Sequence, residues 1–423
     1  MIDQEESTAT RRTGRPGADT DRYPVVDDLV RAARELADRH PRWCELRTVG
    51  RSRGGDPLWL LSAGSGPAEV LVVAGPHANE PVGGAAVLRL ARRIREDRRL
   101  RARARWHLLL CVDPDGARLS EAWARRPGLL RDQFRHYYRP AEDAQPEWLP
   151  ADGGPPLPET AALTALLDEL RPVAQFSLHG NDLGAAWVQL THDVPEAARL
   201  LARPAARLTL PLAGPGHDTH RMPHPAPGLF LMRATDGFNG HVPRSVWTYP
   251  LRHGTVSAVV EAPVWTVPGM DDTRPAADPP GVVAEVVRLQ RAQSRQVAEL
   301  VERARPFCSG PVFSGAAWST GVLEPSAAWW ERYAAPGLRT AAGELMLRMT
   351  GRRLPLRSAA LLARALRETG TAGSEGLRDA AERLADGWAD AYEREFRPRW
   401  IPVERQARLQ EEFVVGLVET LTS

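Results

Sequence analysis

A short apolar run followed by a turn and two metal-ligating side chains most constrains the fold of this chain. Residues 70–74, Val-Leu-Val-Val-Ala, are typical of a strand buried on both faces of a parallel sheet. A Gly-Pro pair at 75–76 breaks the run, and His77 and Glu80 follow before apolar residues recur at helical spacing. Both side chains are therefore predicted to lie between a strand's carboxyl end and a helix, where open α/β sheets place their sites.

Composition sets few limits on function. The 423 residues are 43% hydrophobic, enough for one large core or two ordinary ones. The formal net charge is only +2, so nothing indicates nucleic acid or an anionic membrane as a partner. The chain contains no lysine, and we interpret the abundant arginine as the codon bias of a GC-rich genome rather than as a binding surface.

The N-terminus and the cysteines indicate a cytoplasmic protein. Residues 1–20 are polar and charged, without the apolar core of a secretory signal, and are expected to be disordered. No apolar run approaches the roughly 18 residues that a membrane helix needs. Cys44, Cys111 and Cys308 are too few and too scattered for a disulfide framework, and we expect them to be small core residues. The sequence leaves the oligomeric state open.

Two further predicted strands end in residues that can bind a metal ion or act as a general base. The strand at 173–178 is followed by His179, and the strand at 255–260 ends at Glu261. Because the carboxyl ends of parallel strands meet at one edge of a sheet, His179 can join His77 there. A carboxylate closing an apolar strand, as Glu261 does, is costly to bury without a partner or a role. Two histidines, a ligating carboxylate and a second carboxylate are the inventory of a metal hydrolase.

The predicted fold is an α/β domain of three layers with a mixed, mostly parallel sheet, followed by an all-α C-terminal extension. The α/β domain spans residues 21–306 and the extension 307–423. Residues 119–156 lack a clear period and are rich in Arg, Trp, Tyr and Pro, which favours a functional loop. The extension shows helical patterns at 327–333, 340–349, 358–368, 374–392 and 403–421 and nothing that looks catalytic. Packing, dimerisation or shielding of the cleft are its possible roles.

Four motifs occur in an order that resembles the signature of M14-type zinc metallocarboxypeptidases, over roughly residues 23–305. The resemblance implies that His77, Glu80 and His179 hold one zinc ion per chain and leave a position open for water. It implies that Glu261 is the general base that takes the proton of that water. The motifs are His77-Ala78-Asn79-Glu80, Pro114-Asp115-Gly116, Ser177-Leu178-His179 and Val260-Glu261-Ala262-Pro263.

The same resemblance assigns roles to residues of the irregular segment. Residues 132–137, Asp-Gln-Phe-Arg-His-Tyr, are similar to a family segment whose arginine clamps the terminal carboxylate of the substrate. Arg135 would be that clamp, with its two-donor fork, and Asp132 would orient His77. Phe134 replaces the asparagine of the family pattern, and Arg139 is the rival clamp.

Other family positions are matched less closely. Arg125 or Arg126, shortly after a tryptophan, would lie near the polarised carbonyl of the substrate. Phe238 or Asn239 stands where the family has a mobile tyrosine. Around residues 244–246, the expected floor of the substrate pocket, no acidic residue is present to select a basic side chain.

Three more histidines lie in a Gly/Pro-rich loop at residues 214–228. His217, His220 and His224 could suggest a second metal, but no regular element fixes their geometry. We favour a loop that lines or covers the cleft.

The resemblance implies hydrolysis of the C-terminal amide bond of a peptide or a peptide-like metabolite. The nearest alternative is a small-molecule deacylase of the aspartoacylase or succinylglutamate desuccinylase type, acting on an N-acyl amino acid. A third reading is an inactive zinc-binding or regulatory protein of the same fold. Dependence on a free α-carboxylate would separate the first two.

Overall fold

The computed structural model describes residues 21–182, 184–215, 219, 222–233 and 244–423. Its centre is an eight-stranded sheet with the order β1-β2-β4-β3-β5-β8-β6-β7. These strands are β1 (Cys44–Arg51), β2 (Pro57–Ala63), β3 (Ala68–Val73), β4 (Ala104–Leu109), β5 (Ala174–Asn181), β6 (Trp187–Leu190), β7 (Leu229–Leu231) and β8 (Val256–Pro263). A separate pair, β9 (Trp265–Thr266) and β10 (Arg399–Trp400), is antiparallel.

The middle of the sheet is parallel and its edges are mixed. Strands β4, β3, β5 and β8 run parallel to one another. Strands β1 and β2 are antiparallel, β6 is antiparallel to β8, and β7 is parallel to β6. The carboxyl ends of β3, β5 and β8 therefore share one edge. The predicted mixed, mostly parallel sheet with helices is confirmed.

Seven α-helices precede or interrupt the sheet in the part of the chain that the structure describes. Helix α1 shows the apolar spacing of an amphipathic helix, with Val26, Leu29 and Ala33 buried on one face. The side chain of Asp97 caps α3 by accepting hydrogen bonds from two backbone N–H groups. The side chain of Asp113 caps α4 by accepting one from the backbone N–H of Gly116. The helices are α1 (Val26–Arg39), α2 (Val82–Glu96), α3 (Arg98–Arg103), α4 (Pro114–Ala124), α5 (Leu130–Arg135), α6 (Pro158–Leu170) and α7 (Ala197–Arg207).

The C-terminal region is helical, as predicted. Its helices are α8 (Pro279–Ala304), α9 (Gly310–Gly321), α10 (Leu323–Tyr333), α11 (Ala341–Thr369), α12 (Glu375–Phe396) and α13 (Val403–Leu421). Helices α8 to α12 pack mainly on one another, whereas α13 packs on α2, β5 and β8. The boundary at residue 306 stays a prediction, but the last helix of the predicted extension lies against the sheet. Among the described helices, none has both the length and the apolarity to cross a membrane.

One element boundary in this region was wrong. The patterns at 340–349 and 358–368 belong to a single helix, α11, which continues through Pro355. Proline removes a hydrogen bond from a helix interior. Pro355 and its neighbour Leu356 are buried, and α11 packs against α8, α9 and α12. This packing outweighs the local preference to stop.

A buried ion-pair cluster joins α11 to the carboxyl end of β5. Asp182 pairs with Arg353 and, at 2.7 Å, with Arg357. The side chains of Asp182 and Arg353 are only 5% and 7% exposed. Burial and the neighbouring charge of Arg357 lower the pKa of Arg353 to about 9. The cluster ties the helical region to the strand that carries His179.

We expect the Asp182→Ala substitution to lower the free energy of unfolding by about 3–5 kcal/mol, because it leaves two buried cations without their carboxylate. Urea unfolding of both proteins measures the difference. Asp168→Ala is the control, since Asp168 also contacts two basic side chains, Arg252 and His253, but is 45% exposed. An equal loss in both variants would contradict the prediction.

Candidate metal centre

His77 and Glu80 lie in the turn between β3 and α2. Gly75 opens the turn with a φ of +62°, a conformation that glycine adopts readily. A Cβ at this position would lie 2.6 Å from Sγ of Cys111. The close approach of these two segments of the chain therefore also favours glycine. The turn buries His77 and Glu80, which are 7% and 6% exposed.

His179 and Glu261 reach the same place from β5 and β8. The register of this parallel pair sets His179 beside Glu261. The Nδ1 atom of His179 lies 3.9 Å from Oε1 of Glu261. The four side chains that the resemblance singles out are thus brought together at one edge of the sheet.

The Nδ1 atoms of the two histidines face one carboxylate oxygen. Oε2 of Glu80 lies 3.0 Å from Nδ1 of His77 and 3.0 Å from Nδ1 of His179. It also accepts a hydrogen bond from the backbone N–H of Gly180 at 3.2 Å. Nδ1 of His77 is buried and has no hydrogen-bond partner among the described protein atoms.

Glu147 lies on the other side of both rings. Its Oε1 accepts from Nε2 of His179 at 3.0 Å, from Oγ of Ser177 at 3.0 Å and from Nε1 of Trp247 at 2.8 Å. Its Oε2 lies 2.9 Å from Nε2 of His77. The side chain is 1% exposed. One carboxylate therefore contacts both imidazoles at the nitrogens that face away from Glu80.

The sequence did not single out Glu147. It lies within residues 119–156, the segment interpreted as a functional loop, which has no period that would place its side chains. Backbone hydrogen bonds fix it: Val246 donates to the carbonyl of Glu147 at 3.0 Å, and Leu149 donates to that of Arg244 at 2.7 Å. This pairing also brings Trp247 to the carboxylate. An acidic residue in the irregular segment was the only available signal.

Two groups of three side chains among the described residues could hold a metal ion, because the three ligand atoms of each group lie within 4.8 Å of one another. One group is His77, Glu147 and His179, and the other is Glu80, His179 and Glu261. The group that the resemblance implies, His77 with Glu80 and His179, is not one of them. An ion bound by both Nδ1 atoms would require the two histidine nitrogens to draw closer together, since Oε2 of Glu80 already lies 3.0 Å from each.

The buried charges shift one another's pKa values. Burial alone would raise the pKa of Glu80, but His77 and His179 hold it well below its usual range. The pKa of Glu147 is lowered for the same reason, by both histidines against the effect of burial. Burial would lower the pKa of His179, yet Glu147 and Glu80 raise it well above its usual value. These contacts therefore favour the charged forms of Glu80, Glu147 and His179.

Arg139 is the arginine that the structure places at the centre. Its guanidinium donates to Oε1 of Glu80 at 2.9 Å and to Oε1 of Gln145 at 3.1 Å, and lies 3.0 Å from Nε2 of His77. Its side chain is 20% exposed, so part of it faces solvent.

Three other expected residues are not brought to this centre. Arg135 is exposed and lines a surface cleft against α11 and α12. Arg125 is also exposed and pairs with Glu121 at 3.3 Å. Asp132 is not a partner of His77 in the structure, because the carboxylates that pair with that ring belong to Glu80 and Glu147.

Further parts of the predicted site have structural partners or lie outside the described residues. Asp115 accepts from Oγ of Ser52 and from the backbone N–H of Gly54, each at 2.7 Å, and so holds the β1-β2 turn. His224 is exposed and contacts the ring of Phe230. Outside the described residues lie His217, His220, Phe238 and Asn239.

Residues 29–188 match the model of the zinc carboxypeptidase family, the M14 peptidases. The resemblance read from the sequence is thereby confirmed. A curated relative, carboxypeptidase SOL1 of Arabidopsis thaliana, is 27% identical in an alignment of 176 residues, and the match covers 38% of this chain and 34% of that protein. The similarity thus spans about a third of the relative's length.

Solved structures of metallocarboxypeptidases resemble the chain more distantly. Carboxypeptidase A from Helicoverpa armigera is 12% identical with a TM-score of 0.40, covering 74% of this chain and 73% of that one. A metallo-carboxypeptidase from Burkholderia cenocepacia is 16% identical with a TM-score of 0.38, covering 56% and 60%.

The metal-free protein should be most stable in mildly acidic solution. The folded-state pKa of His179 is raised, so its stabilisation is complete below its unfolded value of about 6.5 and is lost as pH rises through the folded value. The pKa values of Glu80 and Glu147 are lowered, so their stabilisation is present above about 4.3 and is lost as pH falls through the folded values.

Urea unfolding after dialysis against a chelator, at about pH 5.5 and pH 9, tests this window. We expect a loss of stability at the higher pH that is absent from His179→Gln. If the two proteins lose the same amount, the histidine does not carry the effect.

Proposed function

We propose that the protein is a zinc-dependent hydrolase that removes the C-terminal residue of a peptide or peptide-like metabolite. The observation that carries the proposal is the meeting of His77, Glu80, His179 and Glu261 at one edge of the sheet. The match to the zinc carboxypeptidase family supports the same class of reaction. Peptide or N-acyl amino acid substrates, one zinc per chain and a cytoplasmic location are further parts of the proposal.

The donor types at the Nδ1 atoms suit zinc, which would bind there if the two nitrogens drew closer together. Zinc takes imidazole nitrogen and carboxylate oxygen, and a catalytic site uses three protein ligands. Nδ1 of His77 is buried without a hydrogen bond, as suits a lone pair directed at a cation. When bound, zinc supplies Lewis-acid chemistry that activates water and polarises a carbonyl. His77, Glu80 and His179 would hold it.

Glu147 is better suited to orienting the two histidine rings than to binding the metal ion. Its Oε1 already accepts from Ser177 and Trp247 as well as from Nε2 of His179. A carboxylate on the far nitrogen of a ligating histidine fixes the ring and its tautomer. In this proposal Glu147 takes the part that the sequence assigned to Asp132, and it acts on both histidines.

Glu261 is the proposed general base. It stands beside His179 on the face that Glu80 occupies, and its side chain is 14% exposed. A carboxylate at this position can take a proton from water and pass it to the leaving nitrogen. Glu147 is too enclosed for that task.

Arg139 is the proposed clamp for the substrate's terminal carboxylate. It is partly exposed beside Glu80, whereas Arg135 and Arg125 face solvent elsewhere. A guanidinium presents two parallel donors to a carboxylate. Gln145 would hold Arg139 in place during binding.

Glu261→Gln should keep zinc and lose activity. Without the base, kcat on N-benzoyl dipeptides should fall by about 10²- to 10⁴-fold. Zinc content per chain, measured by elemental analysis, should not change. A variant that retains full activity would exclude Glu261 as the base, and a wild-type protein that binds no zinc would exclude the proposed class.

Arg139→Ala should reduce kcat/KM by about 10- to 100-fold on dipeptides with a free C-terminus, because a charge-assisted contact is lost. Arg135→Ala is the matched control and should change little. Amidated dipeptides are the second control. Efficient hydrolysis of amidated substrates by the wild type would instead favour a deacylase, and binding of zinc without any hydrolysis would favour the inactive alternative.

A further inference from the structure

A glutamine of the last helix contacts the backbone of two residues at the candidate metal centre. Nε2 of Gln410, on α13, donates to the carbonyl of His179 at 2.6 Å and to the carbonyl of Val260 at 2.9 Å. Val260 immediately precedes Glu261. Gln410 is fully buried.

These two carbonyls belong to neighbouring strands. The register of β5 and β8 sets His179 opposite Glu261. An amide nitrogen carries two N–H donors, so one Gln410 side chain can serve both carbonyls at once. One side chain of α13 therefore bridges the two strand ends in addition to their backbone pairing, next to the point where Nδ1 of His179 lies 3.9 Å from Oε1 of Glu261.

The helix that carries Gln410 is itself anchored beside the site. Glu411, 6% exposed, pairs with Nε of Arg89 at 2.8 Å and with Arg93 at 3.5 Å. Both arginines lie on α2, which begins two residues after Glu80. Through two adjacent residues, α13 contacts the three elements that present Glu80, His179 and Glu261.

The Gln410 amide leaves one of its own polar atoms unpaired. Its Oε1 is buried and has no hydrogen-bond partner among the described protein atoms. A buried acceptor left unpaired is unfavourable, whereas the two hydrogen bonds that Nε2 donates are favourable. What the amide provides is the bridge between the two strands.

We propose that Gln410 is a positioning residue of the metal centre. It joins the backbone carbonyl of the zinc ligand His179 to that of the residue before Glu261 and so reinforces the strand pairing at the site. The last helix is thus part of the site, although it lies about 230 residues after His179 in the sequence. The inference rests on the proposed zinc function.

The matched control is Gln406, one turn earlier on the same helix. It is equally buried, but it bonds the carbonyl of Ile401 and the hydroxyl of Tyr23, neither of which belongs to the site. Gln406→Met and Gln410→Met make the same chemical change on the same face of α13. They separate loss of a buried amide from loss of the bridge.

The test is zinc affinity, measured on the full chain by competition with a chromophoric chelator, with the absorption spectrum of the cobalt-substituted protein as a second readout. We expect Gln410→Met to bind zinc about tenfold more weakly and to alter the cobalt spectrum. Gln406→Met should match the wild type in both. Equal zinc affinity and an unchanged spectrum in Gln410→Met, or the same loss in Gln406→Met, would overturn the positioning role.

The outcomes also separate this inference from the proposed function. A wild-type protein that binds no zinc overturns the function, whereas equal zinc affinity and the same cobalt spectrum in wild type and Gln410→Met overturn the inference alone. Gln410→Asn, which keeps an amide but has a shorter reach, is the second variant. If neither Gln410 variant folds while Gln406→Met does, the residue serves folding and the proposal fails.

Discussion

The site depends on two buried imidazoles, each of which lies between carboxylates. Glu80 faces the Nδ1 atoms and Glu147 faces the Nε2 atoms, so the rings have little freedom to rotate. Such a cluster is costly to bury and is tolerated only where charges and donors match. Glu261 and Arg139, whose side chains are 14% and 20% exposed, are the members of the cluster that reach solvent, whereas Glu147 is enclosed.

The sheet explains how residues so distant in sequence meet. Parallel strands β3, β5 and β8 end at a common edge, and each contributes a polar side chain where its apolar run stops. The last helix then returns to this edge and bonds the carbonyls of two of the strand ends. The C-terminal region is therefore coupled to the site at two places, through Gln410 and through the ion pairs of Asp182.

The sequence alone predicted the features that depend on neighbouring residues, namely the strands and the polar residues at their ends. Apolar runs located the strands, and their polar ends located His77, Glu80, His179 and Glu261, because strand direction alone brings such ends together. Glu147 could not be found this way, since its position depends on pairing with residues around 246 that no period reveals. Arg135 and Asp132 were chosen by alignment to a short pattern, and the structure brings Arg139 and Glu147 to the centre instead. Helix α11 was divided at Pro355 because local propensity cannot include tertiary packing.

The most direct test is a crystal structure of the zinc-loaded protein with anomalous diffraction recorded at the zinc edge. The account predicts one peak about 2.0–2.1 Å from Nδ1 of His77 and Nδ1 of His179, with Glu80 completing the protein ligands. Glu147 should remain bonded to the Nε2 atoms. A peak on the Nε2 side between Glu147 and the two rings, or no peak at this edge of the sheet, would contradict it.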